Sequence, residues 1–138
     1  MMPAGKKVDA QNNTADDCVI KIGDVEYELI LTTMAMKDIG LKYGNIAKIG
    51  DFLENSENSG ESLSELMWLL TLLANQSVLI HNLKNPQDKK ELLTVEAVGL
   101  LMTPYEFIES KKKILTAIFK GMKREVEGDD DEKNGQGG

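Results

Sequence analysis

His81 is the only histidine in the chain and Cys18 the only cysteine. These are the side chains best suited to proton transfer and nucleophilic attack near neutral pH. A catalytic imidazole needs a nucleophile to deprotonate and a carboxylate to orient it. His81 stands near the end of a long apolar segment, in "VLIHNLK", so the fold would have to bring both partners to it. A surface position near a helix C-terminus, where a cation complements the helix dipole, is the simpler expectation. Cys18 has no Lys, Arg or His pattern beside it to lower its pKa. One cysteine permits no intramolecular disulfide, and with one histidine it makes no zinc set. Asp9, Asp16 and Asp17, like Asp129, Asp130 and Asp131, sit in polar runs without the spacing of a calcium loop. No glycines follow a strand and open a helix as a phosphate cradle requires. The expectation is a protein with no catalytic residues, no metal and no cofactor: not an enzyme.

The one segment with concentrated charge is "SKKKILTAIFKGMKR", with six basic residues between Lys111 and Arg124. A basic amphipathic helix can meet an acidic partner or a membrane surface. Here Glu106, Glu109, Glu125 and Glu127 balance it, so solvation of an outer helix face is favoured.

The 138 residues leave room for one core, and 41% apolar with only 5% aromatic residues makes that core aliphatic. A net charge of −7 argues against nucleic-acid or anionic-membrane binding by the whole chain. With no signal peptide at the start, a cytoplasmic protein is expected. The longest apolar run, 66–74, falls short of the roughly 20 residues that span a bilayer.

Residues 1–17 are polar and expected to be disordered. From residue 18 to 127 the pattern predicts a single, mainly α domain with a small N-terminal β-hairpin. Ile20 and Ile22, then Val25, Tyr27 and Leu29, alternate with polar residues around the turn Gly23-Asp24. Thr32 or Thr33 can cap a helix with Met36, Ile39 and Tyr43 on its inner face and Gly44 at its end. A short helix over 46–53 follows. Ser62 and Glu65 predict a capping box that opens a long central helix, apolar nearly all round in its first half. Pro86 marks a loop, Thr94 caps a helix over 94–102, and Thr103-Pro104 with Glu106 is the strongest start signal in the chain. The helix it opens is expected to reach about Val126. Its stripe comprises Phe107, Ile108, Ile114, Leu115, Ile118, Phe119, Met122 and Val126. Tyr43 and Trp68 are expected in the core. Gly121 interrupts this helix at a cost of about 1 kcal/mol, which close approach of another backbone would explain.

The order of parts resembles the small tail assembly chaperones of long-tailed phages and prophages of Gram-positive bacteria. The resemblance rests on the hairpin "IKIGDVEYELILT", the helix "MAMKDIGLKYG", the short "IAKIGDFL", the Leu-rich "LSELMWLLTLLANQ", then "LLTVEAVGLLMTP" and an amphipathic helix with an acidic tail. It covers about residues 19 to 122 and is a pattern of types and spacings rather than a signature motif. It implies a non-enzymatic protein that coats the helical tape-measure protein before the tail tube forms around it. It also implies recruitment of tail tube subunits, through a longer form made by ribosomal frameshifting. Self-association is a further expectation. The contact surface is placed on the exposed edge of the last helix and the hairpin, at Tyr27, Lys112, Lys113, Phe119, Lys120 and Lys123. The competing reading is a small acidic phage or bacterial regulator or adaptor that acts by protein–protein binding. A DNA mimic would spread its acids over a folded face, and "YGNIAKIGDFL" lacks a following recognition helix with Arg, Asn or Gln at groove-facing spacing.

Residues 128–138 carry four acids and one Lys, with Gly, Asn and Gln, and nothing to bury. A disordered acidic tail is expected. Glu132-Lys133-Asn134 can be encoded GAA-AAA-AAC, which contains the slippery A-AAA-AAC, so the tail is where an alternative frame would leave.

Overall fold

The computed structural model describes residues 18–55 and 59–129, with side chains for 18–53 and 59–122. The expected disorder of 1–17 and of the tail beyond 129 lies outside the described residues. Two strands, β1 (Val19–Ile22) and β2 (Val25–Glu28), precede five helices: α1 (Thr33–Tyr43), α2 (Ala47–Asn55), α3 (Gly60–Lys84), α4 (Val95–Leu101) and α5 (Pro104–Asp129). The chain is mainly helical with an N-terminal antiparallel hairpin, as its pattern predicts.

Ile22 pairs with Val25, so the turn is the two-residue Gly23-Asp24. Gly23 takes φ 68°, the left-handed value a Gly-first turn requires. Its position also lies against Leu101, where an added Cβ would stand 3.4 Å from Cδ1. Ile20 and Ile22 face the core. Val25, expected beside them, is 52% exposed.

Thr32 caps α1, its hydroxyl accepting from Ala35 N at 3.0 Å. Gly44 ends the helix, its N–H donating to Gly40 O at 2.8 Å. Ala35 and Ile39 make the buried face, while Met36 is exposed, contrary to expectation. The helix packs one residue round from the predicted face, with Ala35 fully buried beside Ile39. Ile46, Ile49 and Leu53 line the inner side of the α2 segment.

The central helix starts earlier than the Ser62–Glu65 capping box predicts. Ser59 is the N-cap, and its Oγ accepts from Ser62 N at 3.1 Å. Ser62 thus lies in the first turn, and Glu65 is drawn off to Tyr43 and Lys42. α3 packs against β2, α1, α4 and α5, which explains why Leu66, Leu69, Leu70, Leu73 and Ala74 are buried on several sides. With 25 residues and a most apolar window of mean hydropathy 1.4, α3 is long and apolar enough to cross a membrane by length and composition. It is longer than the run 66–74 suggested, and 44% of that window is buried inside the fold.

Thr94 caps α4, accepting from Ala97 N at 3.0 Å. The start of α5 is a reciprocal box: Glu106 Oε1 accepts from Thr103 N at 2.9 Å, and Thr103 Oγ1 accepts from Glu106 N at 3.2 Å. α5 buries Phe107, Ser110, Ile114, Ala117 and Ile118. Ile108 and Leu115 are half-buried. Phe119 and Met122 leave the predicted stripe, at 57% and 48% exposure. At 3.6 residues per turn the row 107, 110, 114, 117 and 118 already fills the contact face, and Phe119 falls on its far side. Val126 lies among the residues whose side chains are not described.

Gly121 does meet another backbone. A Cβ there would stand 2.5 Å from Leu31 Cβ and 3.0 Å from Leu31 O, in the segment that leaves the hairpin. The hairpin therefore runs lengthwise along α5, its tip at Leu101 and its base opposite Gly121.

Candidate interaction surface

The side chains that could do chemistry are kept apart. Cys18 is buried under the hairpin base, in a groove of about 250 Å³ with residues 28–31, Ala117, Lys120 and Gly121. His81 lies eight residues along α3 from Leu73, whose carbonyl accepts from Ile30 N at the hairpin exit. That is about 12 Å of helix. His81 Nε2 lies 2.8 Å from Asp88 O, and Nδ1 lies 3.3 Å from Asn85 Nδ2. The pair of contacts suits the tautomer with hydrogen on Nε2, which donates to the carbonyl while Nδ1 accepts from the amide. The residue is at the helix C-terminus, as expected, but it fastens the following loop. Among the described residues no group of three His, Cys, Asp or Glu side chains could hold a metal ion.

A second polar centre joins α1 to α3. Tyr43 donates to Glu65 Oε1 at 2.5 Å, and Lys42 Nζ stands 3.3 Å from the same oxygen. The Lys42 ammonium lies 5.0 Å from the Trp68 ring centre and 5.7 Å from that of Tyr43. Tyr43 meets Trp68 edge-on at 6.0 Å. Burial first, then the hydrogen bond to Glu65 and its negative charge, push the Tyr43 phenol well above its ordinary value. A phenol held in this way donates hydrogen bonds and does not act as a base. Tyr43 and Trp68 pack on the core as partly buried rings.

The exposed side of α5 carries most of the residues that sequence reasoning placed in a contact surface. On α5, positions 105, 109, 112, 116, 119 and 123 share one stripe by helical geometry. Tyr105 is 73% exposed and Phe119 57%. Lys112 is exposed between them. Lys113 and Lys120 are half-buried on the side toward the hairpin. Lys113 lines a groove of about 300 Å³ with Val19, Ile20 and Tyr105. Lys120 lines the groove at the hairpin base. The structure therefore gathers Lys112, Lys113, Phe119 and Lys120 on the outward and hairpin-facing sides of one helix. Lys123 is on the same helix, outside the residues whose side chains are described. Tyr27 stands apart from them: it pairs with Ile20 across the hairpin and packs, half-exposed, against the core.

Two sets of residues have placements that their types and spacing do not announce. The first is the exposed apolar set at Leu41, Leu83, Leu100, Leu101 and Tyr105, each of which reads as an ordinary core residue by type. The second is the pair Asn75 and Asn82, whose side chains bond the backbone of the loop after α3. Their signal was present as two amides seven residues apart on an apolar helix. Compared with protein-family models, with curated proteins and with solved structures, the chain matches none.

Proposed function

We propose that this protein is a non-enzymatic tail assembly chaperone that binds the phage tape-measure protein during tail morphogenesis, in the cytoplasm of the bacterial host. The reading draws on the order of hairpin, helices and acidic tail that resembles this family. The observation that carries it is the outer side of α5, where Phe119 is 57% exposed two helical turns from the exposed Lys112 on one stripe, with Met122 48% exposed at its flank. An amphipathic helical client needs such a surface: an apolar side chain to cover its own stripe and cations to meet its acids. The core formed by α3 and the buried row of α5 holds that surface rigid, so little ordering entropy is lost when a client helix docks. In this reading a longer frameshifted form recruits tail tube protein, and copies associate along the client.

Co-expression with the product of a neighbouring tape-measure gene tests the proposal. The expected result is a soluble tape-measure protein that co-elutes with this chain. A tape-measure protein that stays insoluble, with no complex, would sink it.

A further inference from the structure

The phase of the hairpin ladder shows where its spare main-chain groups point. Leu29 N donates to Cys18 O at 2.7 Å, just past the strand ends. In an antiparallel pair, bonded positions alternate with positions whose N–H and C=O turn away from the partner strand. Counting from Cys18 and Leu29, the pairs Ile20–Tyr27 and Ile22–Val25 are bonded, and Val19–Glu28 and Lys21–Glu26 are not. The main-chain groups of Val19 and Lys21 therefore leave β1 on its outer edge. Those of Glu26 and Glu28 leave β2 on the opposite edge.

The two edges meet different surroundings. Ile30 has the same phase as Glu26 and Glu28, and its N–H donates to Leu73 O at 3.3 Å, so the β2 edge turns onto α3. Val19 and Lys21 have no main-chain partner of this kind among the described residues. Their edge borders the groove of about 300 Å³ that has Ile20 on one wall and Met102, Tyr105 and Glu109 on the other. Tyr105 is 73% exposed there, and Leu101, which meets the hairpin turn at Gly23, is 52% exposed. An edge with spare donors and acceptors beside exposed apolar side chains is a template for one more strand.

The occupant is narrowed by geometry and composition. Two-fold pairing of β1 with the β1 of a second copy would set the strands about 4.8 Å apart. Each copy carries α5 along that same side of β1, and packed helices need about 8–10 Å between their axes. The β2 edge of a second copy is turned onto its own α3. Residues 9–17 and 130–138 of this chain offer Ala10 and Ala15 as their only apolar side chains.

We propose that the outer edge of β1 binds an extended segment of a partner protein as a third, antiparallel strand. The segment presents N–H and C=O at two non-proline residues, two apart, opposite Lys21 and Val19. The residue between them lies beside Ile20 and is apolar, because it faces the groove toward Tyr105. The residue opposite Lys21 is acidic, because its side chain shares the outer face with the lysine. β2 has this pattern on the other side of β1, with Glu26 opposite Lys21 and Tyr27 opposite Ile20. The site belongs to the hairpin and stands separately from client binding at Phe119 and Lys112.

The probe is an end-blocked, fluorescently labelled peptide Val-Glu-Tyr-Glu-Leu, the sequence of residues 25–29, titrated with the full chain and followed by anisotropy. Saturable binding is expected. N-methylation of the first glutamate of the peptide removes one edge bond and should weaken binding about tenfold. Lys21→Pro removes the outward N–H of β1 without touching a ladder bond. It should weaken binding by a similar factor while the thermal transition is kept. Absence of saturable binding, or binding indifferent to the methyl group, overturns the proposal. Hydrogen exchange on the unsubstituted chain decides without any variant. The amides of Val19 and Lys21 should exchange ahead of those of Ile20 and Ile22 in the free chain and slow several-fold when the peptide is added. Amides already slow in the free chain would mean that another segment fills the edge, and amides unmoved by the peptide that the edge is not used; either sinks the proposal.

Discussion

Thr32 donates its hydroxyl hydrogen to Gln76 Oε1 at 2.5 Å while its oxygen accepts from Ala35 N at 3.0 Å. One hydroxyl therefore caps α1 and satisfies a glutamine buried to 5% exposure in α3. Gln76 completes the link by donating Nε2 to Leu72 O at 3.1 Å. Losing an N-cap costs about 1 kcal/mol, and leaving a buried acceptor unpaired costs about 1–3 kcal/mol. Thr32→Ala is thus expected to lower the unfolding free energy by about 2–4 kcal/mol in urea titration. Thr32→Ser, which keeps the hydroxyl, should retain most of the stability. Equal loss in both variants would show that the hydroxyl is not what joins the helices.

Gly121 and Gly40 make opposite predictions from the same substitution. Alanine in a helix interior normally gains about 1 kcal/mol over glycine. Gly40 has nothing within 4 Å of an added Cβ, so Gly40→Ala should stabilise. At Gly121 the new methyl group would meet Leu31 Cβ at 2.5 Å and Leu31 O at 3.0 Å. Overpacking of this kind costs about 1–3 kcal/mol. Gly121→Ala should therefore destabilise, and a midpoint that rises in denaturant melts would contradict the packing of the hairpin exit on α5.

Tyr43 gives a pH dependence of definite sign. Its phenol is raised above the ordinary value of 10.0 in the folded chain, so the unfolded chain loses this proton first. The contribution is fully present below pH 10.0 and declines as pH rises from there through the folded value. The unsubstituted chain should lose stability above that point more steeply than Tyr43→Phe. Urea titrations of the two chains at a series of alkaline pH values measure the difference, and parallel profiles would argue against the Tyr43–Glu65 bond. A difference ultraviolet titration between the two isolates the same phenol spectroscopically.

The α5 surface is testable apart from stability. Phe119 and Lys112 are exposed, and substitutions at such positions change stability by about 0.5 kcal/mol or less. Phe119→Ser combined with Lys112→Glu should leave the melting transition nearly unchanged and reduce recovery of soluble tape-measure protein several-fold. Undiminished recovery would move the client surface elsewhere.

Much of the fold was legible because local rules acted without competition. The turn at Gly23-Asp24, the caps at Thr32, Thr94 and Thr103 and the end of α1 at Gly44 each depend on residues within a few positions of one another. The failures share a cause. Ser62 with Glu65 has the form of a capping box, but Ser59 also offers a capping hydroxyl, and Tyr43 and Lys42, some twenty residues away in sequence, claim the carboxylate. Met36 and Phe119 sit at helical spacing with core residues, yet neighbouring positions already fill the contact face. The candidate surface was only partly readable for the same reason. Lys112, Lys113 and Lys120 could be assigned to one helix from their spacing, but which of them faces the hairpin depends on how α5 is rotated against it.

The sequence by itself determined a mainly helical chain with one hairpin, its element order, most of its caps and a core of aliphatic side chains. Those follow from hydrophobic period and hydrogen bonds made within a single turn. Tertiary structure alone decided that Phe119 and Met122 face outward, that Gly121 is required by Leu31, and that Asn75 and Asn82 clasp Leu93 and Lys90. Burial and pairing at those positions are set by what other segments bring to them, and two residues far apart in sequence carry no mark of becoming neighbours until packing places them together.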